Sequence, residues 1–379
     1  MRFTISRKDL QPALKLAVAA AETKATIPIL SNVLLAYSQG ALVITGTDSE
    51  IQISTCVTMQ HSIDESDYGA IAVPARKFLD IVKELSADAE ITIMENETKT
   101  GIEIKSGKSK FKLQSLPADD FPAAPVVDAD SGTVFQMPTA RLAQAIQTTA
   151  YAMAINDARH YLNGMFVELS ENGINFVATD GHRLAGIESD AVMFPTDEFP
   201  NCRSVILPNK FINELKGMLD SEESVEVSID ESHIQINVSP HLTITSKLID
   251  GKYPDWRGVL PSCRLLVTTY TAHLVKALQQ AKILSNEKYH GVRLAFSTDK
   301  LVITGSNPNQ EESEIELSVD YQGEPLEIGF NVDYLLNALG AITSPVVNLK
   351  FVDGSSSCLI QNDADGGDGI YHVIMPVRL

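Results

Sequence analysis

Asp180-Gly181-His182-Arg183 sets a carboxylate, an imidazole and a guanidinium within four positions. Such groups can act as an acid–base pair beside an anion binder, so a hydrolase using Asp180 and His182 is one reading. An Asp and a His so close in sequence rarely define a catalytic site, and no Gly-x-Ser-x-Gly nucleophile motif is present. The acidic stretch Asp363-Ala364-Asp365-Gly366-Gly367-Asp368 offers oxygen ligands. It lacks the Glu that an EF-hand loop needs at its twelfth position, which favours a solvated acidic loop. Cys56, Cys202, Cys263 and Cys358 lie far apart with no C-x-x-C pair, so buried reduced thiols are expected rather than zinc or redox chemistry. No catalytic residue, metal or cofactor is expected. What remains is binding chemistry.

The elements that would position these groups repeat. A strand ending in a small polar turn occurs as Val43-Ile44-Thr45-Gly46-Thr47-Asp48, Phe176-Val177-Ala178-Thr179-Asp180 and Val302-Ile303-Thr304-Gly305-Ser306-Asn307. A second phrase follows each: Val73-Pro74-Ala75-Arg76-Lys77-Phe78, Leu207-Pro208-Asn209-Lys210-Phe211 and Ile328-Gly329-Phe330-Asn331-Val332-Asp333-Tyr334. The period of about 130 positions is domain-sized, well beyond the roughly 20 to 50 of a solenoid. Three domains are predicted, 1–127, 128–260 and 261–379, with joints in the turn-forming stretches near 122–130 and 260–263.

Each repeat reads as two similar halves, a strand, a helix and then several strands. The first helix is expected over 8–21, with Leu10, Leu14 and Ala17 on one face. The second carries Phe78, Ile81, Val82 and Leu85, a one-sided apolar stripe at helical spacing. Further helices are expected over 139–152, 209–219, 271–284 and 332–339. Pro74 and Pro208 precede their helices, where a missing N–H costs little. Alternating stretches such as 224–229, 234–238 and 347–351 read as strands. Six helices against roughly two dozen strands make the class α+β.

A net charge of −19 and a pI of about 4.8 argue, by themselves, against a nucleic-acid partner. The charge is partitioned, however. The helical stretches 7–24, 75–86, 138–152, 209–219, 271–284 and 331–340 hold 12 Lys and Arg against 6 Asp and Glu, leaving −25 elsewhere. Surface salt bridges are one account. The other is a basic wall of Lys15, Lys24, Arg76, Lys83, Lys210, Lys216, Lys276 and Lys282, if the helices point one way. Such a wall holds any duplex weakly and permits sliding. No apolar run approaches the roughly 18 residues that span a bilayer. The opening Met1-Arg2-Phe3-Thr4-Ile5-Ser6 alternates like a strand rather than a signal peptide. A cytoplasmic protein without a membrane partner is expected.

Ordered motifs along the whole chain carry a family resemblance. They are Thr26-Ile27-Pro28-Ile29-Leu30, Val73-Pro74-Ala75-Arg76-Lys77-Phe78, Tyr161-Leu162-Asn163-Gly164 and Ala178-Thr179-Asp180-Gly181-His182-Arg183-Leu184, followed by Ile283-Leu284-Ser285-Asn286-Glu287-Lys288, Gly329-Phe330-Asn331-Val332 and Met375-Pro376-Val377-Arg378-Leu379. In these the chain resembles the bacterial DNA polymerase III beta subunits, the sliding-clamp family. The resemblance implies a DNA clamp fold, with three similar domains of two helices packed on antiparallel sheets. It implies a head-to-tail homodimeric ring that encircles double-stranded DNA without sequence preference. It also implies a non-catalytic role, tethering DNA polymerase III through its alpha subunit, with a clamp loader and other clamp-motif peptides as further partners. A peptide-binding scaffold with no DNA role is the competing reading.

For ring closure, the resemblance brings positions matching Lys77, Phe111 and Leu113 against positions matching Ile283 and Leu284. The residues add a charge argument: the segment with Lys108 and Lys110 is basic, while the run with Glu311, Glu312 and Glu314 is acidic. Opposite charges at opposite ends favour head-to-tail joining. For partner peptides, the resemblance implies a groove of Leu162, Thr179, Gly181, His182, Arg183, Leu184, Pro254 and Val259 on one side. The other side is Asn331, Tyr334, Ser355, Ser357, Val373, Ile374, Met375, Pro376, Val377 and Arg378. Gly258 stands where many relatives have arginine, which makes the rim less basic. Matched DNA contacts are Lys24, Arg76, Asn156, His160 and Tyr161; Lys24, Asn156 and His160 replace arginine, glutamine and tyrosine of some relatives.

Overall fold

A computed structural model describes the chain apart from residues 24–25, 60–67, 99, 124, 126, 128–131, 171–172, 190–202, 220–221, 363–368 and 379. Lys24, Cys202 and the acidic stretch 363–368 thus lie outside the described residues. Among those described, six α-helices accompany 25 β-strands, the α+β balance read from the sequence. The helices are α1 (Arg7–Ala20), α2 (Ala75–Glu84), α3 (Thr139–Thr149), α4 (Asn209–Lys216), α5 (Thr271–Lys282) and α6 (Val332–Ala341). Each follows a strand directly. Ser6 opens α1 by accepting the Asp9 N–H, and Asn331 opens α6 by accepting from Asp333 and Tyr334. The helix expected over 139–152 tightens after Thr149 into a 3-10 turn at Ala150–Ala152.

The chain forms two compact units. The first is built on Met1–Thr139 and Asn213–Leu248. It holds a four-stranded antiparallel sheet, in the order Arg2–Ser6, Glu90–Glu95, Gly101–Ser106 and Ser109–Gln114, and a nine-stranded one. The longer sheet is continuous because Leu242–Lys247 pairs with Ile51–Thr58, Ile244 opposite Ile53. Leu10, Leu14 and Ala17 of α1 and Phe78 and Val82 of α2 are buried against Phe3, Ile5, Leu35 and Ile93. The apolar stripes read from the sequence are the core faces.

The second unit is built on Ala140–Val192, Glu198–Ile212 and Ile249–Leu379. Its eight-stranded sheet is joined where Arg183–Ser189 pairs with the last strand, Ile370–Ile374, Leu184 opposite Val373. A four-stranded sheet runs Glu312–Ser318, Lys300–Ser306, Gly291–Ser297 and Leu326–Asn331. Leu274 and Leu278 of α5 and Leu335 and Leu339 of α6 are buried among Phe296, Phe330 and Phe351.

In the first and third copies, which carry glycine where the second has Ala178, the repeated phrase has a packing cause. Gly46 lies in strand Ala41–Thr47 beneath α1, and a Cβ there would collide with the Ala17 carbonyl. Gly305 lies in Lys300–Ser306 beneath α5, and its Cβ would collide with the Ala281 carbonyl. Backbone meets backbone at both places, so neither neighbour can yield by turning a side chain. Gly46→Ala and Gly305→Ala are each expected to destabilise the protein by about 1–3 kcal/mol. Urea denaturation checks this, and an unchanged midpoint for both would refute the contact.

Candidate functional site

The second unit brings polar and apolar side chains together around one cavity. Two loops and the end of the chain build it. The first loop follows α3 and is pinned by Asn163, whose Oδ1 accepts the Asp157 N–H at 2.9 Å and whose Nδ2 donates to the Asp157 carbonyl at 2.9 Å. The Asn209 N–H donates to the Asn163 carbonyl at 3.0 Å, tying the loop to the start of α4. Gly164 must be small because a Cβ there would strike the Leu207 backbone. The Tyr161-Leu162-Asn163-Gly164 motif is thereby explained as a clamp on loop shape.

The second loop is the turn at Asp180. Its Oδ1 accepts from the His182 and Arg183 N–H groups at 2.9 and 3.1 Å, and its Oδ2 accepts from Arg183 Nε at 2.9 Å. Thr179 Oγ1 donates to the Arg183 carbonyl at 2.6 Å and accepts from Gly181 at 3.1 Å. Gly181 has φ +89° and carries the Arg159 guanidinium 3.2 Å from where a Cβ would be, so both conformation and space call for glycine. The same turn recurs without a histidine. Asp48 Oδ1 accepts from Glu50 and Ile51, and Asn307 Oδ1 accepts from Asn309 and Glu311. Asp180 is therefore a turn-former committed to backbone and Arg183, with no bond to His182 that would make an acid–base pair. His182 is exposed and stacks on Tyr334, ring centroids 6.3 Å apart.

The end of the chain completes the site. Met375 donates its N–H to the His182 carbonyl at 2.9 Å, and Val377 donates to the Gly329 carbonyl at 2.9 Å. A cavity of about 180 Å³ results, lined by Leu162, Thr179, Gly181, Arg183, Leu184, Pro254, Val259, Val373 and Met375 from the expected groove. Arg159, Tyr161, Asp255 and Trp256 line it as well. Tyr161, expected at DNA, lines the cavity.

The other expected groove residues are not among those that line this cavity. Tyr334 lies under Arg183, and Asn331 caps α6. Ser355 donates to Asp353 at 2.8 Å, and Ser357 immediately precedes strand Cys358–Asn362. Ile374 is buried, Pro376 and Val377 are half-buried, and Arg378 is exposed. Gly258 sits in the 3-10 turn Arg257–Val259, where a Cβ would meet the Asp255 carboxylate at an ordinary contact distance of 3.5 Å.

Trp256, the single tryptophan, is the residue that sequence reasoning missed. It is 3% exposed, stacks on Tyr371 at 5.6 Å and carries Arg257 at 4.2 Å over its face. Arg257 in turn pairs with Glu168 at 2.6 Å, and this holds the Glu168 carboxyl below the usual range. Tyr253 stacks on Phe166 at 4.7 Å. An apolar slot walled by aromatic rings and rimmed by Arg159 and Arg183 suits an extended ligand with apolar side chains.

His372 lies behind this slot in the last strand, fully buried, and burial lowers its pKa from 6.5 to about 4. Between those values the unfolded chain binds a proton that the folded chain refuses. Its contribution is complete above pH 6.5 and lost as pH falls towards 4, about 3 kcal/mol across that window. Comparing urea midpoints of the native chain and His372→Gln across this range checks the expectation. The variant should show the shallower fall, and equal slopes would refute the assignment.

The expected joint and DNA positions fall as follows. Lys77 is exposed on α2, and Lys108 is exposed in the turn before Ser109–Gln114. That strand ends its sheet, with Lys110 exposed and Phe111 and Leu113 half-buried. Glu311 and the strand Glu312–Ser318 end another sheet, with Glu312 and Glu314 exposed. Ile283 is 77% exposed after α5, a large apolar side chain left uncovered, and Leu284 beside it is half-buried. Arg76 is exposed on α2 and donates to Thr23 at 2.8 Å. Asn156 and His160 are exposed on the first loop of the site.

Family models match nearly the whole chain: the DNA polymerase III beta subunit N-terminal domain at 1–125, its central domain at 136–255 and its C-terminal domain at 259–378. The beta sliding clamp of Pseudomonas putida is 42% identical over 382 residues, and that of Escherichia coli 39%, each match covering all of both chains. The crystal structure of the DNA polymerase III subunit beta from Pseudomonas aeruginosa superposes with a TM-score of 0.92 at 40% identity over the full length of both. A sliding clamp from the same organism, bound to griselimycin, also gives 0.92. The chain belongs to the DNA polymerase III beta subunit family, the beta sliding clamps.

Proposed function

We propose that two copies of this chain close head to tail into a ring around duplex DNA, and that the cavity of the second unit seats an extended peptide of a replication partner. The family role is that of a processivity subunit, which serves DNA replication without catalysing a reaction. The observation that carries the peptide reading is the cavity beside the chain's last strand. Leu162, Val259 and Val373 supply an apolar slot, while Arg159 and Arg183 supply donors for a peptide backbone. Partners suited to it are the polymerase III alpha subunit, the clamp loader and other proteins with apolar clamp-motif segments. Griselimycin, bound by the Pseudomonas aeruginosa relative, is a ready competitor.

Three clamp domains, 1–127, 128–260 and 261–379, are supported by the same Asx-type turn at Asp48, Asp180 and Asn307. Ring closure is supported by two sheet-ending strands of opposite charge, the one with Lys110 and Lys112 and the one with Glu312 and Glu314. Lys15, Arg76, Lys83, Lys210, Lys216, Lys276 and Lys282 are exposed on their helices, as a weakly basic, sequence-blind DNA lining requires. Arg76, Asn156, His160 and Tyr161 are the proposed DNA contacts; Lys24 completes the set from outside the described residues. No helix among the described residues is long and apolar enough to cross a membrane, in keeping with work in the cytoplasm.

Two measurements test this. Native mass should give a dimer, and that dimer, once loaded, should stay on closed circular DNA and run off linear DNA. A monomer, or equal release from both, overturns the ring. Titrating a synthetic peptide with leucine and phenylalanine anchors should change Trp256 fluorescence and be reversed by griselimycin. A silent titration overturns the peptide site.

A further inference from the structure

Arg183 is held from three sides. Its Nε donates to Asp180 Oδ2 at 2.9 Å. Its guanidinium carbon lies 4.6 Å from the Tyr334 ring centroid and 5.2 Å from that of Tyr151. Its Nη1 is buried and makes no hydrogen bond, and the residue lines the cavity. An arginine side chain is ordinarily rotamer-rich, and stacking between two rings removes most of that freedom before any ligand arrives.

Tyr151 is itself fixed from behind. It sits in the 3-10 turn Ala150–Ala152, and its hydroxyl shares a 2.8 Å hydrogen bond with His372 Nδ1. His372 cannot yield. It is fully buried in strand Ile370–Ile374, opposite Ala185 of Arg183–Ser189, with strand Cys358–Asn362 on the other side. Neighbouring residues of the same two strands, Leu184 and Val373, line the cavity. The imidazole therefore moves with the cavity floor, and the tyrosine transmits its position to the guanidinium at the rim.

We infer that Tyr151 and His372 form a positioning pair for Arg183, holding its guanidinium in the orientation in which it meets the bound peptide. Neither residue touches the ligand. The inference rests on the peptide reading of the cavity. It deepens that reading by assigning two residues that line neither the cavity nor the groove expected from the sequence. The aromatic face of Tyr151 steadies the guanidinium through cation–π attraction, and the hydroxyl–imidazole bond sets where that face lies. A phenylalanine keeps the face and loses the anchor. Ligand binding then meets an arginine that must be ordered at the moment of contact, which weakens affinity without removing a contact.

A double-mutant cycle on the full chain tests the assignment, read by Trp256 fluorescence with a synthetic peptide carrying leucine and phenylalanine anchors. Tyr151→Phe should weaken binding about 5- to 10-fold, and Arg183→Lys by more, because lysine lacks the planar fork. On the Arg183→Lys background, Tyr151→Phe should cost less than about 2-fold, since the group it positions is gone. A loss of equal size on both backgrounds, or none on the native background, overturns the inference. Should Tyr151→Phe lower the melting temperature strongly, Tyr151→Phe/His372→Phe removes both ends of the bond together. That variant should restore folding while keeping the weakened affinity; recovered affinity also overturns the inference. Failure of the unmodified chain to bind the peptide at all is a different result, and it sinks the peptide reading instead.

Discussion

Ending the chain at Ile374 is expected to weaken peptide binding by at least about a thousandfold while the dimer persists. The residues removed are few, but they close the site. Met375 lines the cavity and is anchored by its N–H to the His182 carbonyl; Val377 is anchored to the Gly329 carbonyl. Removing them opens one wall of a slot whose value lies in excluding water from apolar contacts. Ile374 stays, buried and paired with both Arg183 and Cys358, so the eight-stranded sheet keeps its last strand. Nor do the removed residues belong to the strands proposed for the joint, Ser109–Gln114 and Glu312–Ser318. Fluorescence titration and native mass together check the prediction. A truncated chain that runs as a monomer misplaces the site, and one that binds within about tenfold of the full chain makes the segment dispensable.

Changing Glu311, Glu312 and Glu314 together to lysine is expected to weaken ring closure by about a thousandfold, because like charges brought face to face cost several kcal/mol. Strand geometry says why these positions matter. Along Glu312–Ser318 the charged residues are exposed and alternate with half-buried Ser313, Ile315 and Leu317. Along Ser109–Gln114, exposed Lys110 and Lys112 alternate with half-buried Phe111 and Leu113. Each strand ends its sheet, so each offers backbone donors and acceptors that a second chain can pair. Lys105 and Lys110 already hold Glu103 at 2.8 and 2.6 Å, and their hydrogen bonds lower its pKa to about 2. The basic strand thus spends part of its charge internally, and Lys108 and Lys112 are expected to carry more of the proposed attraction. Dimer dissociation followed by dilution should show the loss, larger at low salt than at high salt. An effect that ignores salt argues for apolar closure through Phe111, Leu113, Ile283 and Leu284.

The repeat, the six helices and their buried faces were legible because they depend on local periodicity. Leu10, Leu14 and Ala17, or Phe78 and Val82, recur at spacings that only a one-sided helix explains, and they are the core. The repeated Thr-Asp or Thr-Gly phrase was visible as a pattern but not as a cause. Read alone, Asp180 and His182 resemble an acid–base pair. In the fold Asp180 spends both oxygens on a turn, and Asp48 and Asn307 form the same turn through Oδ1 with no histidine in the phrase. The signal that could have decided this lay in the sequence: the three copies share the Asp or Asn and not the His.

By itself the sequence determined the α+β class, the threefold repeat, the partition of charge between helices and strands, and, through ordered motifs, the family. Those are properties of neighbours along the chain, where spacing dictates which face is apolar and which residue turns the backbone. Only the tertiary structure decided what meets across long separations. Trp256 became a cavity wall because it stacks on Tyr371, and Tyr151 reached His372 over 221 positions. Arg183 met the rings of Tyr151 and Tyr334, which lie on separate elements. Such contacts depend on which strands pair and in what register, and a register is set by the whole sheet rather than by any one stretch.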